Sequence, residues 1–187
     1  MKAWIELGQV FLQDPTTINK IVDGLNLNKQ DIILEIGPGQ GAITEKIVDK
    51  VYSSHLVEID KALSLYLKQK KYPNTYLYNQ DFLKWKWPIF PKPIKVVSAL
   101  PYGWVYDILH KLIPNQEQIS KMVLSMTNNQ ARIITNEKHP EGNLIRTFFN
   151  IEDSFHIPKS SFNKNYIQAA RELKVETTCI ILKNKKA

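Results

Sequence analysis

A single cysteine, Cys179, stands in the 187 residues. One thiol excludes a disulfide-stapled scaffold and a cysteine-ligated metal centre, and it fits a reducing compartment. Histidine is scarce as well. His55, His110, His139 and His156 are scattered, with no helical or strand spacing that would make a ligand pair, so no metal site is expected. No apolar run approaches the roughly eighteen residues needed to span a bilayer. Residues 1–9 carry Trp4 and Glu6 where a secretory leader would have its apolar stretch. The expectation is a soluble, cytoplasmic chain, or one inside an organelle of bacterial descent, with no membrane partner. Internal repeats and low-complexity segments are absent too. Acidic residues are few relative to basic ones, 18 against 25, for a formal charge of +7. That imbalance points toward a polyanionic partner, although an AT-rich genome also produces lysine-rich chains.

What is present suits one domain over residues 1–187. A hydrophobic fraction of 43%, with four Trp, eight Tyr and seven Phe, is ample for a core. The organising stretch is Ile32-Ile33-Leu34-Glu35-Ile36-Gly37-Pro38-Gly39-Gln40-Gly41-Ala42. It reads as a strand covered on both faces, then a glycine turn, then a helix over residues 42–48. Glycines there permit positive φ and let bare amides approach a ligand. Ala42 stands where a dinucleotide fingerprint wants its third glycine, an allowed substitute, and Glu35 lies two residues before the first glycine. A generic turn of another α/β protein remains the plain alternative.

Along the chain, Asp14 is placed to cap a helix over residues 16–25, with Pro15 at its first position. A second strand over residues 51–59 closes on Glu58, 23 positions after Glu35. A carboxylate at this edge grips ribose hydroxyls in doubly wound folds, or is simply a surface acid. Asp60 caps a helix over 61–70, and a third strand at 76–78 ends before Asp81 and Phe82. Lys84-Trp85-Lys86-Trp87-Pro88 either stacks on nucleic-acid bases or covers the sheet edge with a Trp. Further strands are expected at 94–97 and 121–126, helices at 106–113 and 128–135, and a polar loop at 136–143. A strand pair at 144–151 and 154–157, a last strand at 175–182 and a frayed basic tail at 183–187 complete the reading. The alternation predicts an α/β fold with a mostly parallel sheet.

Gly8-Gln9-x-Phe11-Leu12-x-Asp14-Pro15, Leu34-Glu35-Ile36-Gly37-Pro38-Gly39-x-Gly41-Ala42-x-Thr44, Val57-Glu58-Ile59-Asp60, Asp81 and Leu100-Pro101-Tyr102 together resemble the rRNA adenine dimethyltransferases, the KsgA type and the related Erm resistance enzymes. Ile157-Pro158-Lys159-Ser160-Ser161-Phe162 is similar to that family's V-P-P-S-A-F. The resemblance implies a Rossmann-like, seven-stranded class I methyltransferase sheet with a closing antiparallel hairpin. It implies S-adenosyl-L-methionine as cofactor and rRNA, within the small ribosomal subunit or a precursor, as partner of a monomer. Gln9, Phe11 and Leu12 would then line the methionine end, above Gly37 and Gly39. Glu35 would belong to the same cofactor motif. Glu58 would bind the ribose diol, Ile59 would pack on the adenine, and Asp81, beside Phe82, would accept from its amino group. Leu100, Pro101 and Tyr102 would sit under the target base, with Tyr102 stacked on it.

The chain departs from the family on the substrate side. Ala99 stands where the family's N-L-P-Y has Asn, and loss of an oriented hydrogen bond costs about 1–3 kcal/mol, or roughly ten- to two-hundredfold in rate. Ser98 precedes it, but neighbours in a strand point to opposite faces. The family's Q-x-E-x-A-x-R keeps only Ala131 and Arg132, the aromatic-proline loop after Phe162 is replaced, and the KsgA-type helical C-terminal domain is not expected within these residues. Three readings are therefore carried: an rRNA adenine dimethyltransferase, a methyltransferase of another RNA or small amine, and an inactive RNA-binding assembly or transcription factor.

Overall fold

A computed structural model describes residues 11–99, 102–163 and 175–187. Its frame is one seven-stranded sheet: β1 (Ile32–Ile36), β2 (Ser53–Glu58), β3 (Thr75–Asn79), β4 (Ile94–Ala99), β5 (Ile119–Thr127), β6 (Phe149–Ile157) and β7 (Thr177–Asn184). The spatial order is β3-β2-β1-β4-β5-β7-β6. Strands β1 to β5 pair in parallel, and β7 runs antiparallel to both β5 and β6. This is the mostly parallel α/β sheet that the alternation predicts, with the seven strands and closing antiparallel hairpin of the class I methyltransferase fold that the resemblance implies.

Helices cover both faces. On one side α4 (Val105–Leu112), α5 (Asn128–Thr135) and α6 (Pro140–Phe148) bring Ile108, Leu109, Ala131, Ile134 and Ile145 into one core with Ile32, Leu34 and Ile36. On the other, α1 (Pro15–Gly24) and the short α2 (Thr44–Ile47) bring Ile18, Ile21, Val22 and Ile47 onto Ile33, Val97 and Val123. Alternate β1 residues thus feed two cores, as a strand with side-chain period two must when both faces are covered. The α3 helix (Lys61–Gln69) follows β2, and Asp60 Oδ1 accepts from the Ala62 and Leu63 amides at its start.

Local chemistry fixes most boundaries. Asp14 Oδ2 accepts from the Thr17 amide at 2.8 Å, and Pro15 needs no donor at the first helical position. Thr127 and Gln130 close a reciprocal capping box on α5.

Several sequence expectations are corrected. The glycine turn extends further than expected, so α2 begins at Thr44 and passes into a 3-10 turn, Val48–Lys50. Strand β2 spans Ser53–Glu58 and leaves out Val51 and Ile59. The polar loop expected at 136–143 ends at 139 and the strand expected at 144–151 begins only at Phe149, because α6 takes 140–148; His139 caps it through Nδ1 and Pro140 opens it. Gly142 there is a contact residue and not a breaker: an added Cβ would lie 2.0 Å from the Asn136 carbonyl oxygen and 2.8 Å from that of Ile133. Residues 149–157 form one strand whose register shifts between Ile151 and Asp153. The polar pair Glu152-Asp153 therefore marks a bulge within a strand, where an extra residue is accommodated without ending it. The basic tail is not frayed throughout. Asn184 is buried in β7, and its Nδ2 donates to the Gln116 and Ile119 carbonyls at 2.7 and 2.8 Å.

Gly142→Ala separates two physical effects. Helix propensity alone would stabilise by about 1 kcal/mol. The backbone clash instead predicts destabilisation of about 1–3 kcal/mol, seen as a lower midpoint in urea unfolding. A raised midpoint would contradict the packing of α6 against residue 136.

Candidate active site

Between β1 and β4 the strand order reverses, and ligands of open α/β sheets lie outside the carboxyl ends of strands at such a point. A cleft partly open to solvent sits there, and its lining includes Phe11, Leu12, Glu35, Gly37, Gly39 and Ala99.

The turn builds one wall. Gly37 and Gly41 have φ of 65° and 86°, a region that side chains strain to adopt. The Gly37 amide donates to the Val57 carbonyl at 2.9 Å, which ties the turn to β2. A Cβ on Gly37 would meet nothing within 4 Å, so the space above it is an open cradle, whereas one on Gly41 would strike Leu67 at 2.9 Å. Gly37 therefore leaves room for a ligand, and Gly41 leaves room for α3. Gly39 sits under the Phe11 ring, 3.2 Å from a built Cβ.

Two carboxylates flank the turn. Glu58 is 4% exposed at the end of β2. Its Oε2 accepts from the Gly39 amide at 3.0 Å and its Oε1 from the Asp60 amide at 2.8 Å. Burial pushes its pKa up, and those backbone donors pull it partly back. Glu35 is fully buried and accepts from the Thr44 hydroxyl at 2.6 Å. Burial dominates there and raises its pKa from 4.5 to about 7. The neighbouring Glu58 adds to the rise and the Thr44 hydrogen bond opposes it.

Beyond Glu58, Ile59 is 68% exposed, an apolar side chain with little of its own to cover it. Asp81 lies past β3, and its Oδ1 accepts from the Leu83 amide at 2.9 Å. Phe82 is buried, and Lys111 Nζ lies 5.2 Å over its ring. The same ammonium donates to the Leu83 and Trp85 carbonyls at 2.8 and 2.6 Å, so a side chain on α4 holds the loop that carries Asp81. Sequence reading missed Lys111. A lone lysine in a helix carries no signal of such a clamp.

Other pieces come from afar. Phe11 and Leu12 are held by the segment that resembles V-P-P-S-A-F. Leu12 pairs with Phe162, the Asn163 amide donates to the Phe11 carbonyl at 2.9 Å, and Ser161 Oγ lies 2.8 Å from Thr17 Oγ1. Two sequence motifs some 150 positions apart thus form one bracket. Ala99 faces the cleft from β4, while the Ser98 hydroxyl turns away and donates to the Ile36 carbonyl. Gln9, Leu100, Pro101 and the side chain of Tyr102 lie outside the described residues. Trp85 is buried and Trp87 partly so, packed edge-on at 5.9 Å, so these rings cover the sheet. Among the described residues no group of three or more His, Cys, Asp or Glu is placed to hold a metal ion, and no helix is long and apolar enough to cross a membrane.

A family model described as ribosomal RNA adenine dimethylase matches residues 1–164. Ribosomal RNA small subunit methyltransferase A of Francisella tularensis subsp. novicida (strain U112) is 39% identical over 124 residues, which cover 63% of this chain. Those residues cover 47% of the relative, so the chain spans about half the length of the curated relatives it matches. A dimethyladenosine transferase from Plasmodium falciparum superposes with a TM-score of 0.77 at 23% identity, over 94% of this chain and 64% of that one. The 23S rRNA methyltransferase ErmE gives 0.77 at 24% identity, over 94% and 70%. These structural likenesses concern the fold.

The raised pKa of Glu35 makes a pH prediction. The folded state holds a proton that the unfolded chain releases, so stability falls as pH rises between about 4.5 and 7. Glu35→Gln keeps an acceptor for Thr44 without the charge. It should remove that slope and raise stability above pH 7 by at most about 3 kcal/mol, measured by denaturant unfolding across pH. An unchanged slope would show that Glu35 is ionised in the folded protein.

Proposed function

Because the chain belongs to the ribosomal RNA adenine dimethylase family, we propose that it is an S-adenosyl-L-methionine-dependent methyltransferase that dimethylates the 6-amino group of adenine in small-subunit rRNA. Under this reading residues 1–187 act as one cofactor-binding domain, monomeric and cytoplasmic. The observation that carries it is the open cradle at Gly37 beside the half-engaged Glu58 carboxylate at the reversal point of the sheet. The open space and the acceptor oxygens at its rim support S-adenosyl-L-methionine as the cofactor.

The sulfonium of S-adenosyl-L-methionine supplies an already activated methyl group, so the protein's task is orientation. Phe11 and Leu12, with Gln9, would line the methionine end over Gly37 and Gly39, and Glu35 would face it from beneath. A cationic ammonium there would draw Glu35 back to its charged form. Glu58 has two oxygens that each take one backbone amide, and the remaining lone pairs would accept ribose hydroxyls. The exposed Ile59 would cover one face of the adenine, and Asp81, held beside Phe82, would accept from its amino group. Leu100, Pro101 and Tyr102 would form the floor and stack for an extruded target base.

Ala99 favours a second reading. It lines the cleft without an acceptor, and the Ser98 hydroxyl is engaged by Ile36. The acceptor amine would therefore be held by backbone groups alone, which supports a slow enzyme, a different methyl acceptor, or an RNA-binding protein that retains its cofactor.

Calorimetric titration with S-adenosyl-L-methionine and then S-adenosylhomocysteine tests the cofactor. Micromolar binding, lost in Glu58→Ala, is expected, and no binding by a folded sample would overturn both methyltransferase readings. Transfer of labelled methyl groups to unmodified small subunits tests the acceptor. Ala99→Asn should raise that rate by roughly ten- to two-hundredfold, and a rate that falls instead would argue for another acceptor.

A further inference from the structure

The positive charge of this chain is not spread over it. Residues 61–106 hold eight lysines and one acid, Asp81, an excess of seven; the other residues hold 17 basic and 17 acidic side chains. The entire formal charge of +7 therefore resides in one quarter of the sequence. That quarter builds α3, β3, the crossover and β4.

The crossover from β3 to β4 contains no helix. A doubly wound sheet ordinarily covers such an edge with one, and here a chain of rings takes that place. Trp85 meets Trp87 at 5.9 Å, Trp87 meets Phe90 at 6.0 Å, and Phe90 meets His55 edge-on at 5.1 Å. His55 in turn stacks on Tyr76 at 4.8 Å with planes 19° apart, and its Nδ1 lies 3.2 Å from the Tyr78 hydroxyl. Burial lowers the His55 pKa, so this ring packs as a neutral imidazole. The series begins in the core at Trp85, 4% exposed, and ends in solvent at Tyr76, 56% exposed on the edge strand. Around it stand Tyr52, 62% exposed with Lys92 Nζ 5.3 Å over its ring, the nearly bare Ile89, and exposed Lys84 and Lys86.

An outward-facing tyrosine backed by a rigid stack loses little entropy when a base settles on it, and lysines beside it meet the phosphates. We propose that this β2–β3 edge is a second nucleic-acid contact surface that takes a single-stranded RNA segment, apart from the methyl-transfer cleft. The choice of RNA over other polyanions rests on the function proposed above; the surface itself rests on the rings and the charge. Tyr76 lies three residues before the end of β3 and Tyr52 precedes β2, whereas the cleft lies beyond the opposite ends of those strands. A strand with its phosphates on Lys84, Lys86 and Lys92 would anchor the RNA while another part of it reaches the cleft.

The test uses the whole chain and fluorescein-labelled single-stranded RNA dodecamers, A12 and U12, in anisotropy titrations at several salt concentrations. Lys84→Glu/Lys86→Glu/Lys92→Glu is expected to weaken binding at least about tenfold and to flatten the salt dependence. Tyr76→Leu should weaken it at least about fivefold, the loss of one base stack, while Tyr76→Phe restores most of it. Thermal unfolding of each variant should match the parent, and so should S-adenosyl-L-methionine titration of Tyr76→Leu, a residue near the amino end of β3 and away from the cleft. Wild-type affinity in both the lysine and the Tyr76→Leu variants would overturn the proposal, as would absence of RNA binding by a folded parent chain. RNA binding that depends on Tyr76 in a chain that binds no cofactor would sink the methyltransferase reading and leave this surface standing.

Discussion

The Glu58 carboxylate ties together the parts that every other feature of the cleft needs. One oxygen takes the Gly39 amide and the other the Asp60 amide, so the turn after β1 and the start of α3 share one anchor. The Gly37 amide adds a third tie, to the Val57 carbonyl one residue before that acid. A buried carboxylate is expensive unless donors surround it, and the donors here are two backbone amides, one aimed by the glycine turn and one by the start of α3. The same constraint explains why the turn carries positive φ at Gly37 and Gly41. With the amides so aimed, the space above Gly37 stays empty and the acceptor oxygens stand at its rim.

Much of this was legible in the sequence because it is local. A strand, a glycine turn and an acid at the next strand's end lie within one stretch of residues, and their roles follow from backbone chemistry. The capping residues Asp14 and Asp60 were legible for the same reason. The failures share a different cause. Pro140 and Gly142 look like loop residues, yet proline is at home at a helix start and Gly142 is needed where α6 crosses the Asn136 carbonyl. Asn184 looks like part of a charged tail, but its amide satisfies the carbonyls of Gln116 and of Ile119 at the start of β5. Both depend on partners distant in sequence or on backbone approach, which composition does not encode. The bracket between Phe11-Leu12 and Phe162-Asn163 was visible as two motifs and not as one contact.

The substrate side reads differently from the cofactor side. Glu35, Glu58 and the glycines are in place with their donors, while β4 ends on Ala99 with Ser98 committed to Ile36. Strand periodicity makes this arrangement rigid: a hydroxyl that serves the inner face at 98 cannot serve the cleft, and the residue that faces the cleft has none. Under the proposed function, an acceptor would therefore depend for its orientation on groups other than the side chains of 98 and 99.

That dependence gives the charged edge its meaning. A cleft that grips its acceptor weakly gains most from an anchor elsewhere on the same strand, since a tethered segment reaches the site at a high effective concentration. Lys84, Lys86 and Lys92 stand on the crossover whose rings pack, through Phe90 and His55, against the edge strands β2 and β3. The carboxyl ends of the same strands form the cleft. Parallel strands place the two surfaces at a fixed separation, and the sheet between them keeps that separation constant.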